Sequence, residues 1–235
     1  MKYYLIFLFT ILLSTSWSDD YSSISTSRPG VYNPTSSVPK GLYQLEVGTN
    51  LSTGPGMDTL LTMPVLLRLG VINNTELQVA YASKYLTLGV LYGGINLING
   101  LENSIIFSTS LTENNDELTE YNVYLPITYS FNNGFFIGAH LNSTIFNNDS
   151  DDPLISYAIA IGNSLNDKTS WFFEHYHTLD NDENPPFSID YGISYLSDTN
   201  VQFDISMGLT FEKINDKYKE SERFIEWGFS FRLPN

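Results

Sequence analysis

The sequence contains no cysteine and few charged residues. Without cysteine, its 235 residues cannot form a disulfide framework, a thiolate metal site or a lipid anchor on an N-terminal cysteine. Charged residues make up only 16% of the chain, whereas they make up about a quarter of a typical soluble domain. The 11 Lys and Arg residues are outnumbered by 26 Asp and Glu residues, and the net charge is −15. Nucleic acid is not an expected partner, because its binders usually present a basic face.

A long hydrophobic run is also missing. No stretch reaches the roughly twenty apolar residues that a transmembrane helix needs. The apolar run at residues 3–13 follows Lys2 and precedes Ser16 and Ser18, the small residues that signal peptidase recognises. We therefore predict a cleaved signal peptide at residues 1–18. An exported chain of this kind is a soluble domain, a peripheral protein or a membrane β-barrel.

Motifs for catalysis and cofactor binding are absent as well. No Gly-x-Ser-x-Gly elbow and no phosphate-binding loop occurs, so we predict no enzymatic activity, no catalytic residue and no cofactor. His175 and His177 have His-x-His spacing, but no third ligand of suitable spacing accompanies them, and no metal site is predicted. The acidic stretches 147–152 and 180–183 lack the glycine and the final glutamate of a calcium loop.

Beyond Gly41 the sequence alternates between apolar and polar residues with period two. This alternation is typical of β-strands that have two unlike faces. It is clearest at residues 121–131, where apolar and aromatic residues alternate with Asn, Tyr, Pro, Thr and Ser. Twelve such segments are present, near residues 43–50, 61–70, 76–81, 86–93, 104–111, 121–131, 135–142, 155–162, 170–176, 188–195, 201–210 and 225–233.

The connections between these segments alternate in length. Tight turns are predicted at residues 73–74, 99–100, 132–134, 166–168 and 198–200, and longer polar loops at 113–117, 147–153, 180–186 and 212–222. Short turns on one rim and long loops on the other are typical of outer-membrane barrels. We predict an all-β fold, a single antiparallel up-and-down transmembrane β-barrel of about twelve strands over residues 42–235. An even strand number places both termini on the short-turn, periplasmic side.

The polar face of the strands indicates a membrane barrel and not a soluble, lipocalin-like one. This face contains many glycines, which weaken a solvent-exposed strand but relieve crowding inside a barrel. The lysines beyond the signal peptide all lie in predicted turns and loops, whereas soluble sheets usually expose lysines on strands. We therefore expect the apolar face to contact lipid and the polar face to line the lumen.

Ten ionisable residues are predicted to line the lumen. They are Arg28, Glu46, Arg68, Glu76, His140, Glu174, Asp190, Asp204, Glu226 and Arg232. Two interpretations of this set stay open. In one, the surplus of carboxylates favours polar or cationic solutes in an open lumen. In the other, the carboxylates pair with the arginines in a filled lumen.

Residues 19–41 do not alternate and are rich in Ser, Thr, Pro and Gly. We predict an irregular lead segment, stiffened by its prolines. It carries Arg28, which can pair with an interior carboxylate. The segment is therefore either a plug in the lumen or a disordered periplasmic tail.

The lead segment and first strand carry a recognisable pattern: T-S-R-P-G at residues 26–30, Pro34, V-P-K-G at 38–41 and Q-L-E-V-G at 44–48. It resembles the opening of the bacterial transporter family of the MetA-pathway-of-phenol-degradation type. Fragments at residues 64–70, 75–77, 173–176 and 228–234 agree. Ser27 stands where the family usually has Asp, and the chain does not end on an aromatic residue. The resemblance implies an outer-membrane barrel that transports small, often hydrophobic or aromatic molecules.

Two functions are consistent with these features. The first is a channel for small-molecule solutes. The second is a closed structural or surface-binding barrel that acts through its long extracellular loops. In both cases the expected partners are outer-membrane lipid and the barrel assembly machinery. Openness of the lumen distinguishes the two functions.

Overall fold

The computed structural model describes residues 22–28, 30–112, 120–147, 152–179, 185–214 and 217–234. The signal peptide predicted at residues 1–18 and the loop predicted at 113–117 lie outside these residues. So do the centres of the loops predicted at 147–153 and 180–186. In the described part of the chain, no helix is long and apolar enough to cross a membrane.

The described chain forms thirteen β-segments. They are β1 (Leu42–Thr53), β2 (Leu60–Thr62), β3 (Val65–Ile72), β4 (Thr75–Ala82), β5 (Tyr85–Ile98), β6 (Leu101–Thr112), β7 (Glu120–Ser130), β8 (Phe135–Phe146), β9 (Leu154–Ser164), β10 (Thr169–Leu179), β11 (Phe187–Asp198), β12 (Val201–Ile214) and β13 (Lys217–Pro234). Both β2 and β3 pair with β1 and are two parts of one barrel strand. The interruption contains Pro64, which has no N–H to donate to the ladder.

The strands close into an antiparallel barrel. Each strand pairs with its neighbours in sequence, and β13 pairs with β1 from Leu42↔Pro234 to Thr53↔Arg223. Counting β2 and β3 as one, the barrel has twelve strands, as the sequence predicted. Closure pairs the first strand with the last, which is what a sheet needs in hydrocarbon that offers its amides no partner.

The short turns share a rim with the two ends of the barrel. The hairpins β3–β4, β5–β6, β7–β8, β9–β10 and β11–β12 all lie at the rim where Leu42 pairs with Pro234, which we name the terminal rim. The opposite rim, named the distal rim, also has a tight turn that the sequence analysis did not identify. Ser83 and Lys84 both have positive φ there, at 48° and 79°, as a type I′ hairpin turn requires.

The prediction of a long loop at residues 212–222 is wrong. Strand β12 continues to Ile214 and β13 begins at Lys217, and Glu212 lies opposite Lys219 in the ladder. The charged residues in this stretch indicate contact with water, and a pair of β-strands beyond the membrane exposes its side chains to water as a loop does. Opposite charges on facing strands are also favourable.

The two faces of the sheet are arranged as the sequence predicted. Large apolar side chains point outward, and Leu125 is 47% exposed. Charged and polar side chains point into the lumen, where Arg68 and Glu76 are both 0% exposed. A soluble barrel has the opposite arrangement, so this is a transmembrane barrel. Leu91 and Ile106 are exceptions, because they are buried and face each other on β5 and β6.

Candidate functional site

The described part of the lead segment, residues 22–28 and 30–41, lies inside the barrel. At one end, the Ile24 N–H donates to the Thr199 carbonyl in the β11–β12 turn (2.8 Å). Further along, the Gly94 N–H donates to the Thr35 carbonyl (2.6 Å), and the Leu42 N–H donates to Pro39 where β1 begins. Ile24 and Val38 are buried. The segment therefore crosses the lumen from β12 to β5 before the chain enters the wall.

Arg68 is the centre of a buried polar cluster in the lumen. Its Nε and Nη2 donate to the two oxygens of Glu76, at 2.7 and 3.0 Å. Its Nη1 donates to Glu46 at 3.2 Å. The same guanidinium also reaches the lead segment, donating to the carbonyls of Ser25 (2.7 Å) and Ser36 (3.1 Å). Bidentate, charge-assisted pairs of this kind are strong and directional, so the Arg68 cluster fixes the lead segment at two points.

Each carboxylate of this cluster has a second function. The backbone N–H of Ser27 donates to Glu46 (3.0 Å), and that of Val38 donates to Glu76 (2.6 Å). The Gln44 amide donates both to Glu46 and to the Ser25 carbonyl. The two acidic side chains thus bind the wall arginine and the lead-segment backbone at once.

Arg28 rests on glycines of the barrel wall. Gly48 and Gly228 lie opposite each other on β1 and β13, and a β-carbon built at either position would collide with the Arg28 guanidinium. From this seat Arg28 pairs with Asp204 at 3.4 Å. The Gln202 amide donates to the Arg28 carbonyl and to the Thr26 hydroxyl. The two glycines therefore leave space on the inner wall for the cationic side chain of Arg28 in the lead segment.

Glu174 accepts hydrogen bonds from the middle of the lead segment. The backbone N–H groups of Val31 (2.7 Å) and Tyr32 (3.3 Å) donate to its carboxylate. Gly30 lies against the same carboxylate with φ of 93°, and a side chain there would collide with it. The lead segment can approach this closely because Gly30 has no β-carbon and adopts positive φ without strain.

Tyr32 spans the lumen to the opposite wall. Its ring lies over Gly138 and stacks on His140, with ring centroids 6.0 Å apart. Its hydroxyl donates to the Ile127 carbonyl (3.0 Å) and also bonds Thr128. Burial raises the pKa of the Tyr32 phenol to about 12, so it is neutral at physiological pH. His140 is buried and accepts from the Asn33 N–H through Nδ1 (3.4 Å).

The remaining three ionisable residues do not join the Arg68 cluster. Arg232 donates to the Asn200 amide oxygen (2.9 Å) and to the Ser22 carbonyl near the terminal rim. Glu226 accepts from the Asn50 amide. Asp190 lies opposite Glu174 on the neighbouring strand and is 1% exposed. These positions place more carboxylates than arginines on the lumen wall.

Several lumen residues were missed by the sequence analysis. Glu102 accepts from the Thr35 hydroxyl (3.3 Å), and the Ser104 hydroxyl donates to the Pro34 carbonyl (3.1 Å). Glu102 lies in the part of β6 that extends beyond the predicted strand, whereas Ser104 begins that predicted strand but was assigned to neither of its faces. Gln44 was assigned to the polar face, and its amide signalled a hydrogen-bonding position, but polarity alone does not name a partner.

Comparison with known proteins identifies the fold. No protein-family profile matches the chain, and no curated protein is detectably similar to it in sequence. The COG4313 outer membrane channel from Pseudomonas putida F1 is similar in structure, with a TM-score of 0.62 and 11% identity over 88% of this chain and 99% of that one. The KdgM porin has a TM-score of 0.60 and 11% identity over 80% and 98% of the two chains. The chain has the fold of outer-membrane porins and channels. A third structure of this fold, the CymD monoaromatic hydrocarbon channel, has a TM-score of 0.55 and 9% identity over 84% and 89%.

Proposed function

We propose that this protein is an outer-membrane channel for small molecules, with residues 19–41 acting as a plug that narrows the lumen. The observation that carries the proposal is the position of the lead segment, which donates backbone N–H groups to Glu46, Glu76 and Glu174 inside the barrel. Twelve strands enclose more space than the eight whose side chains fill a barrel, and fewer than the sixteen that leave a wide channel. A segment crossing such a lumen controls the remaining opening.

The ten ionisable residues predicted from the sequence would line the lumen in this proposal. Arg68 and Arg28 would fix the plug, because both bond lead-segment atoms or are part of it. The acidic side chains in excess would favour cationic or neutral solutes over anions. The resemblance at residues 26–48 favours small hydrophobic or aromatic solutes, and the fold shared with a monoaromatic hydrocarbon channel supports that class.

The placement of the barrel in the cell belongs to the same proposal. The exposed apolar exterior fits outer-membrane lipid, and such barrels require the assembly machinery of that membrane. We assign the terminal rim, with both barrel ends and the short turns, to the periplasm. The distal rim would then face outward.

Deleting residues 19–36 tests the plug. The deletion removes no strand residue, so the β1–β13 closure should persist and the barrel should still fold. We expect higher single-channel conductance in a planar bilayer than for the full mature chain. Folding is checked by heat-dependent gel mobility.

The deletion distinguishes the two functions. A folded deletion variant with unchanged, measurable conductance would exclude the plug while leaving the channel. Absence of conductance in both proteins would contradict the channel and favour a closed barrel that acts through its loops.

A further inference from the structure

Two phenylalanines and two glycines form a row around the inner wall near the terminal rim. Phe136, Gly162, Phe172 and Gly192 are directly opposite one another on β8, β9, β10 and β11. A β-carbon at Gly162 would collide with the Phe136 ring, and one at Gly192 with the Phe172 ring. Each ring therefore lies against the wall over the neighbouring glycine. We name these four residues the ring platform.

The ring platform borders a cavity of about 500 Å³ between the wall and the lead segment. This volume is within the range of small-molecule sites. The other wall of the cavity includes Tyr32 and Thr35 of the lead segment. The cavity therefore has aromatic surface on two sides.

Hydroxyl groups surround the aromatic surface of this cavity. Ser164, Ser170 and Ser194 line it on the side of the terminal rim, and Thr128 lines it next to Tyr32. The side chains of Ser164 and Ser170 are within 3.3 Å of each other, and this contact is exposed. Hydroxyls both donate and accept hydrogen bonds, so this border suits a neutral ligand that carries hydroxyls of its own.

Tyr32 shows that the inner wall can bind a six-membered ring that carries a hydroxyl group. It is a six-membered ring seated over a glycine, Gly138, and its hydroxyl bonds Thr128 at the edge of the ring. The ring platform, two residues along β8, again combines aromatic rings with nearby hydroxyls. Phe136 and Phe172 of the platform line the cavity, whereas Gly138 is covered by the Tyr32 ring.

We propose that the ring platform is a binding subsite for a neutral, hydroxylated six-membered ring, of the size of one pyranose sugar. This inference rests on the proposed function, because it places the subsite on the solute path. It assigns this subsite a hydroxylated ring in place of the hydrophobic or aromatic solutes that the resemblance at residues 26–48 favours. The Phe136 and Phe172 faces would stack against the C–H face of the sugar ring, while the serine hydroxyls would bond its hydroxyl groups.

The hydroxyl and carboxylate side chains around the cavity disfavour two other classes of ligand, bare hydrocarbon rings and anionic sugars. A bare hydrocarbon ring would cover the serine hydroxyls without replacing their bonds to water, which is unfavourable. An anionic sugar would approach Glu102 and Glu174, which both border the cavity and are countered there only by Arg28 among its described lining residues. A neutral sugar meets neither penalty.

Binding is measured on the purified full mature chain in detergent. Isothermal titration calorimetry supplies the readout, because Trp171 shares the outward face of β10 with Phe173 and its fluorescence would not report on the lumen. We expect a saturable heat of binding with methyl glucoside, a weaker response with methyl glucuronide, and no saturable response with toluene. Heat-dependent gel mobility confirms that each variant is folded.

Ring variants separate stacking from packing. Phe172→Leu and Phe136→Leu should each weaken methyl glucoside binding by up to about tenfold, the upper range for loss of an aromatic contact, whereas Phe172→Tyr should retain it. The matched control is Phe203→Leu, because Phe203 faces outward and is 43% exposed. It should bind like the parent protein.

Three results would overturn the subsite: no saturable response to methyl glucoside, equal binding by Phe172→Leu, or tighter binding of toluene than of the sugar. Conductance of the same preparation is recorded separately. A conducting barrel that binds no sugar refutes this inference alone. A barrel that binds sugar without conducting refutes the proposed channel alone.

Discussion

Arg68 illustrates how one residue connects the wall to the lead segment. Its guanidinium is fully buried between Glu46 and Glu76 and donates to two lead-segment carbonyls. Burying these charges carries a desolvation cost that only complete pairing offsets. Removing one partner is therefore more damaging than the net contribution of the cluster to stability.

We expect Arg68→Met to destabilise the barrel by about 3–5 kcal/mol, because it leaves two buried carboxylates without their cation. The measurement is urea unfolding in lipid vesicles. The control is Arg223→Met, which breaks an ion pair with Glu220 in which Arg223 is 62% exposed. Such exposed pairs contribute at most about 1 kcal/mol. Equal destabilisation by the two variants would contradict the account of the Arg68 cluster.

A second prediction concerns the glycine seat of Arg28. Gly48→Ala should displace the guanidinium, lower stability by about 1–3 kcal/mol through overpacking and raise conductance by loosening the plug. Gly89→Ala is the matched control, since the nearest atom to its β-carbon would be the Gln78 oxygen at 3.2 Å. Unfolding and conductance are measured for both. If Gly48→Ala behaves like Gly89→Ala, the seat does not position Arg28.

At the scale of elements, the lead segment is ordered by its surroundings and not by its own hydrogen bonds. Most of its bonds described above join it to the barrel wall, including the contacts of Ser25, Val31 and Val38. An irregular segment can be buried only when its backbone groups find such partners. This explains why so many inward side chains are carboxylates and amides, which accept and donate to backbone.

Strand β7 gives the test of membrane depth. Leu125 lies at its centre and points outward. Leu125→Arg should therefore lower the free energy of unfolding by about 2–4 kcal/mol if this position lies at the bilayer midplane. Leu165 lies in the β9–β10 turn at the terminal rim and is 61% exposed. Leu165→Arg should cost about 0–1 kcal/mol there. Folding yields and unfolding in lipid vesicles provide the comparison, and similar costs at both depths would exclude the lipid-facing assignment of β7.

At the scale of the whole molecule, the lumen is acidic. Among the residues that the structure describes, seven carboxylates face it and three arginines counter them: Glu46, Glu76, Glu102, Glu174, Asp190, Asp204 and Glu226 against Arg28, Arg68 and Arg232. Four of the carboxylates bond an arginine or a lead-segment backbone N–H directly, through Arg68, Arg28 or the backbone of Val31. The other three are Glu102, Asp190 and Glu226, and the last two lie on neighbouring parts of the wall around Glu174.

We expect the channel to prefer cations over anions, and the preference should weaken as salt rises, because screening acts within about 8 Å at physiological ionic strength. The Asp190→Asn and Glu226→Gln double variant should shift the reversal potential toward zero under a salt gradient. Exchanging Glu220, a half-buried carboxylate near the distal rim, for Gln should leave it unchanged. An anion-selective channel would refute the charge argument.

Much of the fold could be predicted from the sequence because alternate residues of a membrane strand face lipid and lumen, and their polarity alternates accordingly. The twelve strands, the lipid-facing and lumen faces and the tight turns of the terminal rim all follow from period-two alternation and turn residues. The stretch at 212–222 could not be predicted in this way. Outside the membrane both a loop and a paired ribbon are polar, so composition does not separate them.

The candidate site could be predicted only as a set of residue types. The sequence predicted inward positions for Glu46, Arg68 and Glu174 because polar residues on a strand that faces lipid on one side are expected to face the lumen on the other. It did not identify which of them pair, since partners such as Arg28 and Asp204 are 176 residues apart. It also left open whether the lead segment enters the barrel.

The sequence by itself therefore determined the type of barrel, its number of strands and the polarity of its two faces. These depend on local alternation, which each strand carries independently of the others. Only the tertiary structure decided the course of the lead segment, the pairing of the buried charges and the row of Phe136, Gly162, Phe172 and Gly192. Those features depend on the register between strands and on closure of β13 onto β1, and register is a relation between distant segments that no single segment encodes.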